Sequence, residues 1–191
     1  EEGINVNVTL LFSPEIYQAV AVAYCEGLRA RVSKGLPISN ISSVASVFVS
    51  RIDTAIDREL DRVATERGEV TVRDLYGRYA VANARRIYQI YKKVFSSEAF
   101  RVLQNHGAQL QRLVWASTSI KNARYRDVFY VEELIGRDTI NTMPLSTMHE
   151  FLDHGKVRDT LECDVDEATM LEQRFSELEI DVVKQLSALP T

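Results

Sequence analysis

Near the start of the chain, Ile4 to Phe12 alternate without a break and run straight into a helix start. Ile4, Val6, Val8, Leu10 and Phe12 fall on one face of an extended segment, and Asn5, Asn7, Thr9 and Leu11 on the other. Ser13-Pro14-Glu15 follows as N-cap, first-turn proline and an acid at the positive end of a helix. The helix carries Ile16, Ala19, Val20 and Ala23 at spacings of three and four, runs to about Val32 and stops near Lys34-Gly35. A strand that hands over to a helix must meet its next strand by a crossover, which favours parallel pairing.

The pattern recurs. A strand at Ile41–Val49 is followed by Arg51 and a helical segment from near Ile52 that loosens at Arg67-Gly68. A long helix is expected from about Thr71 to Phe95, and a short one from Ser96 or Ser97 to Gly107. Strand Leu113–Ser117 leads through Lys121-Asn122 into a helix around Tyr125–Leu134, ended by Gly136. Strand Thr139–Thr142 precedes Pro144 and a helix that stops at Gly155. Asp164 and Glu167 have capping-box spacing and are expected to open a last helix. Four strand–helix units predict a parallel sheet with helices outside it, as in half of a (β/α)8 TIM-barrel type of α/β fold. A complete barrel typically takes about 250 residues, and this chain has 191. In such a barrel Ile4, Val6, Val8 and Leu10 face outward and Asn5, Asn7 and Thr9 inward, with chemistry at the carboxyl ends of the strands. No linker or composition shift interrupts residues 1–191, so one domain is expected.

Composition narrows the function. Lys plus Arg is 23 against 27 Asp plus Glu, a formal charge of −4, which disfavours sequence-independent nucleic-acid binding. An anionic ligand would need a few placed cations. No apolar run reaches the roughly 18 residues of a membrane span. Cys25 and Cys163 are isolated, so a disulfide framework or zinc site is not expected and a reducing cytoplasm fits. The acidic start, Glu1-Glu2-Gly3, has no signal core or initiator Met, and Leu189-Pro190-Thr191 is not an obvious natural end. His149 and His154 are five apart, about 140° around a helix, and do not make the i, i+4 metalloprotease pair. His154 is expected to meet the last carbonyls of its helix. Trp115 and the tyrosines of the long helix are expected to be packing residues.

Four motifs in order carry a resemblance. Gly3-Ile-Asn-Val-Asn-Val-Thr-Leu-Leu-Phe-Ser13 resembles the fifth barrel strand of transaldolases, and Val44-Ala-Ser-Val-Phe-Val-Ser-Arg-Ile-Asp53 the sixth. Trp115-Ala-Ser-Thr-Ser-Ile-Lys-Asn122 is similar to the seventh; Glu132-Glu-Leu-Ile-Gly136 and Asn141-Thr-Met-Pro144 look like the entry to the eighth and its exit. The resemblance, to the larger bacterial type, implies a metal-free and cofactor-free enzyme of the non-oxidative pentose phosphate pathway. Such an enzyme transfers a dihydroxyacetone unit from sedoheptulose 7-phosphate to glyceraldehyde 3-phosphate through a lysine Schiff base. That lysine and two catalytic acids map upstream of this chain. The chain therefore reads as the carboxyl-terminal half of the barrel, with the amino-terminal half and sugar phosphates as its partners, and as inactive alone.

The resemblance also assigns the site. Thr9 orients a proton-relay water, and Asn7 contacts the substrate or intermediate. Ser46 and Arg51 bind substrate oxygens and phosphate, and Phe48 walls the pocket. On the third loop, one residue longer than the commonest pattern, Ser119 or Lys121 stands where many relatives carry a phosphate-binding arginine. Arginine suits phosphate because its fork makes paired, charge-assisted bonds, whereas lysine acts as a point charge. No lysine lies on the four expected strands, and Lys121 alone is near the expected catalytic face. A non-catalytic binding half and a related fructose-6-phosphate aldolase are the alternative readings.

Overall fold

The computed structural model describes residues 2–190; the Glu1 and Thr191 readings lie outside the described residues. Four strands, β1 (Val6–Leu11), β2 (Ser43–Phe48), β3 (Arg112–Ala116) and β4 (Thr139–Asn141), form one sheet in chain order. Every neighbouring pair is parallel. β1 and β4 each have one neighbour, so these four strands form an open sheet of the partial TIM-barrel type.

Helices supply the crossovers. α1 (Pro14–Ser33) starts where Ser13 accepts the Ile16 N–H, and α2 (Ser50–Arg67) follows β2. α3 (Tyr79–Phe95) and α4 (Glu98–Gln104, capped by Ser97) precede β3. α5 (Phe129–Glu133) and α6 (Leu145–His154) flank β4, and α7 (Glu167–Glu177) and α8 (Val182–Ser187) complete the described chain. Ala45, Val47, Leu113 and Trp115 on one sheet face are wholly buried with Ile52, Ile56 and Leu60 of α2 and Ile87 of α3. Trp115, Tyr79, Tyr88 and Tyr91 are core packing residues, as expected.

The structure departs from the sequence reading at four places. β1 keeps its alternation through Val8, which pairs with Ala45, but Leu11 then pairs with Val47, so Thr9 and Leu10 together span the position of Ser46. Leu10 takes a left-handed conformation, φ 60°, and the bulge inverts the faces beyond it. Leu11 therefore joins the helix-covered face, and Phe12 turns to Phe48 (ring centroids 6.1 Å apart), the reverse of the expected placement. The helix expected from Thr71 begins at Tyr79, after a 3₁₀ turn at Glu69–Thr71. The helix expected around Tyr125–Leu134 shortens to α5. Asp164 does not cap α7. Glu167 instead reaches Arg78 (2.5 Å) and Arg85 (3.4 Å), an ion-pair set that outweighs a local cap.

Candidate active site at the carboxyl ends of the strands

Asn7, Ser46 and Phe48 project from the sheet face opposite Ala45 and Val47. Side chains paired across parallel strands share a face, and Asn7 is level with Val44. The Ser46 hydroxyl donates to Asn7 Oδ1 at 2.8 Å, which fixes both groups across the β1–β2 pair. Ser46 is buried and Asn7 exposed, so the bond anchors an open amide to a rigid strand. Arg51, in the first turn of α2, lays its guanidinium over the Phe48 ring, 4.8 Å from the centroid. Among the described residues it has no carboxylate partner, so its charge is open to an anion. Thr9 sits exposed inside the β1 bulge.

The third expected group is placed differently. The loop after β3 begins at Ser117, which adopts φ 56°. Ser50 N–H donates to the Ser117 carbonyl (3.0 Å), and the two hydroxyls share a hydrogen bond (2.8 Å). Thr118 is buried and donates to Asn141 Oδ1 (2.7 Å), tying β3 to β4. Ser119 is half-buried, Ile120 packs on the core and Lys121 is exposed. Neither Ser119 nor Lys121 makes a side-chain hydrogen bond to the β1–β2 set among the described residues. Four of the expected residues, Asn7, Ser46, Phe48 and Arg51, are therefore brought into direct contact in pairs, while Thr9 lies in the β1 bulge and Ser119 and Lys121 lie in the loop after β3.

Sequence reasoning missed a row of polar groups on α2. Asp53, 1 % exposed, accepts the Ala80 N–H (2.8 Å) and the Tyr130 hydroxyl (2.8 Å). Asp57 accepts the Gly77 N–H (3.3 Å), the Asn122 side-chain amide (3.1 Å) and the Tyr125 hydroxyl. Asp61 accepts the Tyr76 hydroxyl (2.8 Å) and pairs with Arg124 (3.2 Å). Burial pushes the Asp53 carboxyl up to about 7, reinforced by the Asp57 charge and opposed by its two donors. Burial also raises Asp57, against the Tyr125 and Asn122 bonds. The signal was present in the spacing: 53, 57 and 61 each lie one residue after the apolar stripe Ile52, Ile56 and Leu60.

His154 is corrected. Its Nε2 lies 2.9 Å from Asp127 and its Nδ1 3.2 Å from Asp153, so carboxylates rather than helix carbonyls hold it. The Asp127 bond, then the Asp153 bond, raise the imidazole above its ordinary range.

A parallel βα sheet with an arginine in the helix turn after its second strand, free of carboxylate partners among the described residues, is of the partial (β/α)-barrel type. Within that class the comparisons are specific. Residues 1–189 match the sequence profile of the family described as Transaldolase/Fructose-6-phosphate aldolase. The protein called Transaldolase from Trichodesmium erythraeum (strain IMS101) is 45 % identical over 185 residues, covering 95 % of this chain and 49 % of the relative. Transaldolase 2 of Nostoc punctiforme (strain ATCC 29133 / PCC 73102) is 46 % identical over 189 residues, with the same coverage of both. Transaldolase of Thiobacillus denitrificans (strain ATCC 25259 / T1) is 46 % identical over 180 residues, 94 % of this chain and 49 % of its own length. The chain belongs to the transaldolase/fructose-6-phosphate aldolase family, and it spans about half the length of these curated relatives.

Proposed function

We propose that this chain supplies four consecutive βα units of a transaldolase barrel, read from their motifs as the fifth to eighth. The complete protein then moves a dihydroxyacetone unit from sedoheptulose 7-phosphate to glyceraldehyde 3-phosphate, through a Schiff base on a lysine of the remaining barrel. It works in the cytoplasm, in the non-oxidative pentose phosphate pathway. The observation that carries the reading is the Ser46–Asn7 bond on the same strand face as Phe48, over which the open Arg51 charge lies, so that two neutral polar groups and one cation belong to one β1–β2–α2 unit.

Each group has a task that its chemistry allows. Asn7, its oxygen engaged by Ser46, turns its amide nitrogen toward the substrate hydroxyls. Thr9 cannot be a base at neutral pH; it orients the water through which a carboxylate of the remaining barrel takes and returns the hydroxyl proton as the carbon–carbon bond breaks and re-forms. Arg51 holds the terminal phosphate, its orientation set by stacking on Phe48. Lys121, with Ser119, adds a second contact as a point charge.

Arg51→Ala in the complete protein tests this. A hydrogen bond to a charged group is worth roughly 1.5–3 kcal/mol, about 10- to 150-fold. We expect kcat/KM to fall by that factor with phosphorylated acceptors and far less with unphosphorylated ones. Equal losses on both would leave Arg51 a structural charge.

A further inference from the structure

Lys121 and Arg51 come from different parts of the chain, yet one helix sets the place of both. Arg51 stands in the first turn of α2, and Asp57, six residues on, is about 9 Å along the same axis. From there Asp57 grips the loop after β3. Its Oδ2 accepts both the Asn122 amide and the Tyr125 hydroxyl, and its Oδ1 the Gly77 N–H. The Asn122 oxygen in turn accepts the Arg124 N–H (3.1 Å), closing a tight turn. Lys121 therefore sits between two fixed points, Ile120 packed on the core and Asn122 held by Asp57. Ser50 fixes the start of the same loop at Ser117.

The anchor is built as well as bonded. Tyr125 lies so close over Gly77 that a Cβ there would come within 2.6 Å of its ring. Asp57 is 5 % exposed, so its bonds are shielded from water and from salt. Asp61, one turn further, holds Arg124, whose guanidinium also covers the Tyr76 ring at 4.3 Å. A surface loop of this length would ordinarily be mobile. Here α2 grips it at three positions, Ser50, Asp57 and Asp61.

We propose that Asp57 is a positioning residue for phosphate recognition: through Asn122 and Tyr125 it fixes Lys121 relative to Arg51, so that both cations meet one substrate phosphate. This rests on the phosphate roles proposed above for Arg51 and Lys121. A lysine held by its flanking backbone loses less freedom on binding than one on a floppy loop, and that difference appears in affinity.

The test is made in the complete protein with Asp57→Asn, Tyr125→Phe, Lys121→Ala and the double variant Asp57→Asn/Lys121→Ala. Two readouts are used: steady-state kinetics with phosphorylated and unphosphorylated acceptors, and amide hydrogen exchange of residues 118–125. We expect Asp57→Asn to raise KM for the phosphorylated acceptor about tenfold with kcat changed less than twofold, and to speed exchange in the loop. Tyr125→Phe, which removes one donor and preserves the acid, should do the same to a smaller extent, and it serves if Asp57→Asn does not fold. The double variant should be no worse than Lys121→Ala alone, because Asp57 acts through that lysine. Additive losses, equal losses on both acceptors, or unchanged exchange would each overturn the proposal. If Lys121→Ala itself leaves phosphate preference intact while Asp57→Asn still speeds exchange, the assignment of Lys121 has failed and the proposal with it. If Lys121→Ala weakens phosphate and Asp57→Asn does not, the proposal has failed alone.

Discussion

Asp53 makes stability depend on pH in a direction opposite to that of most carboxylates, and Asp53→Asn isolates the effect. The carboxyl lies between the Ala80 N–H and the Tyr130 hydroxyl, 1 % exposed, and burial carries it from 3.8 to about 7. Between those values the folded protein holds a proton that the unfolded chain has released. Stability is therefore greatest below the unfolded value and is lost as pH rises through the folded one. The full span is at most about 4 kcal/mol at 1.36 kcal/mol per unit, of which about 2.5 kcal/mol falls between pH 5 and 8. Asparagine at 53 has nearly the same shape and no titration, and Asp57 titrates in both proteins, so to first order it cancels from the difference. Urea unfolding can be followed through Trp115, the sole tryptophan, which is fully buried. Measured at pH 5, 6, 7 and 8, the stability of wild type relative to Asp53→Asn should drop by about 2.5 kcal/mol across the series. A difference that stays flat, or that grows with pH, would refute the argument that burial rather than its two donors governs this acid.

Two further outcomes follow from local geometry. Gly77→Ala should cost more stability than Gly35→Ala: both glycines have φ +70°, worth about 1–2 kcal/mol to an L-residue, but the added Cβ meets Tyr125 at position 77 and open space at 35; equal costs by urea denaturation would remove Tyr125 from the anchor. His154 should titrate above its ordinary range by NMR and return toward it in Asp127→Asn; any stability from this pair is present in acid and lost as pH rises through that titration, and an unshifted wild-type titration would show that the pair does not form in solution.

The sequence reading succeeded where residues near one another along the chain decide the structure. The Ser13-Pro14 start of α1, the Ser97 cap of α4 and the strand order follow from local chemistry and from crossover connections. Of the candidate site, Ser46, Phe48 and Arg51 were legible because strand parity and the first turn of a helix are local properties, and Arg51 does lie over Phe48. The bulge in β1 was illegible for the opposite reason. An extra residue exists only relative to a partner strand, here at Ser46, and Ile4–Phe12 carries no mark of it. The alternation that identified the strand thus misplaced Leu11 and Phe12.

The boundary of α3 shows which force displaced the local one. Propensity extends that helix back to Thr71, and no side chain of its own caps Arg78. Asp53 instead takes the Ala80 N–H, and Asp57 the Gly77 N–H, so backbone donors near the start of α3 are satisfied from another helix. Leaving a buried backbone donor or carboxyl oxygen without a partner costs roughly 1–3 kcal/mol, enough to fix where a helix begins. Read alone, Asp53, Asp57 and Asp61 look like the solvated side of an amphipathic helix. One step from the apolar stripe, Asp53 and Asp57 are buried at the border of the core, where a carboxylate must find donors or give up its charge, while Asp61, a turn further, stays exposed. The donors come from 76–80 and 122–130, segments distant in sequence, and the demand of these acids for partners gathers both against α2. The need to satisfy buried charge is thus what brings the loop bearing Lys121 to the same helix as Arg51.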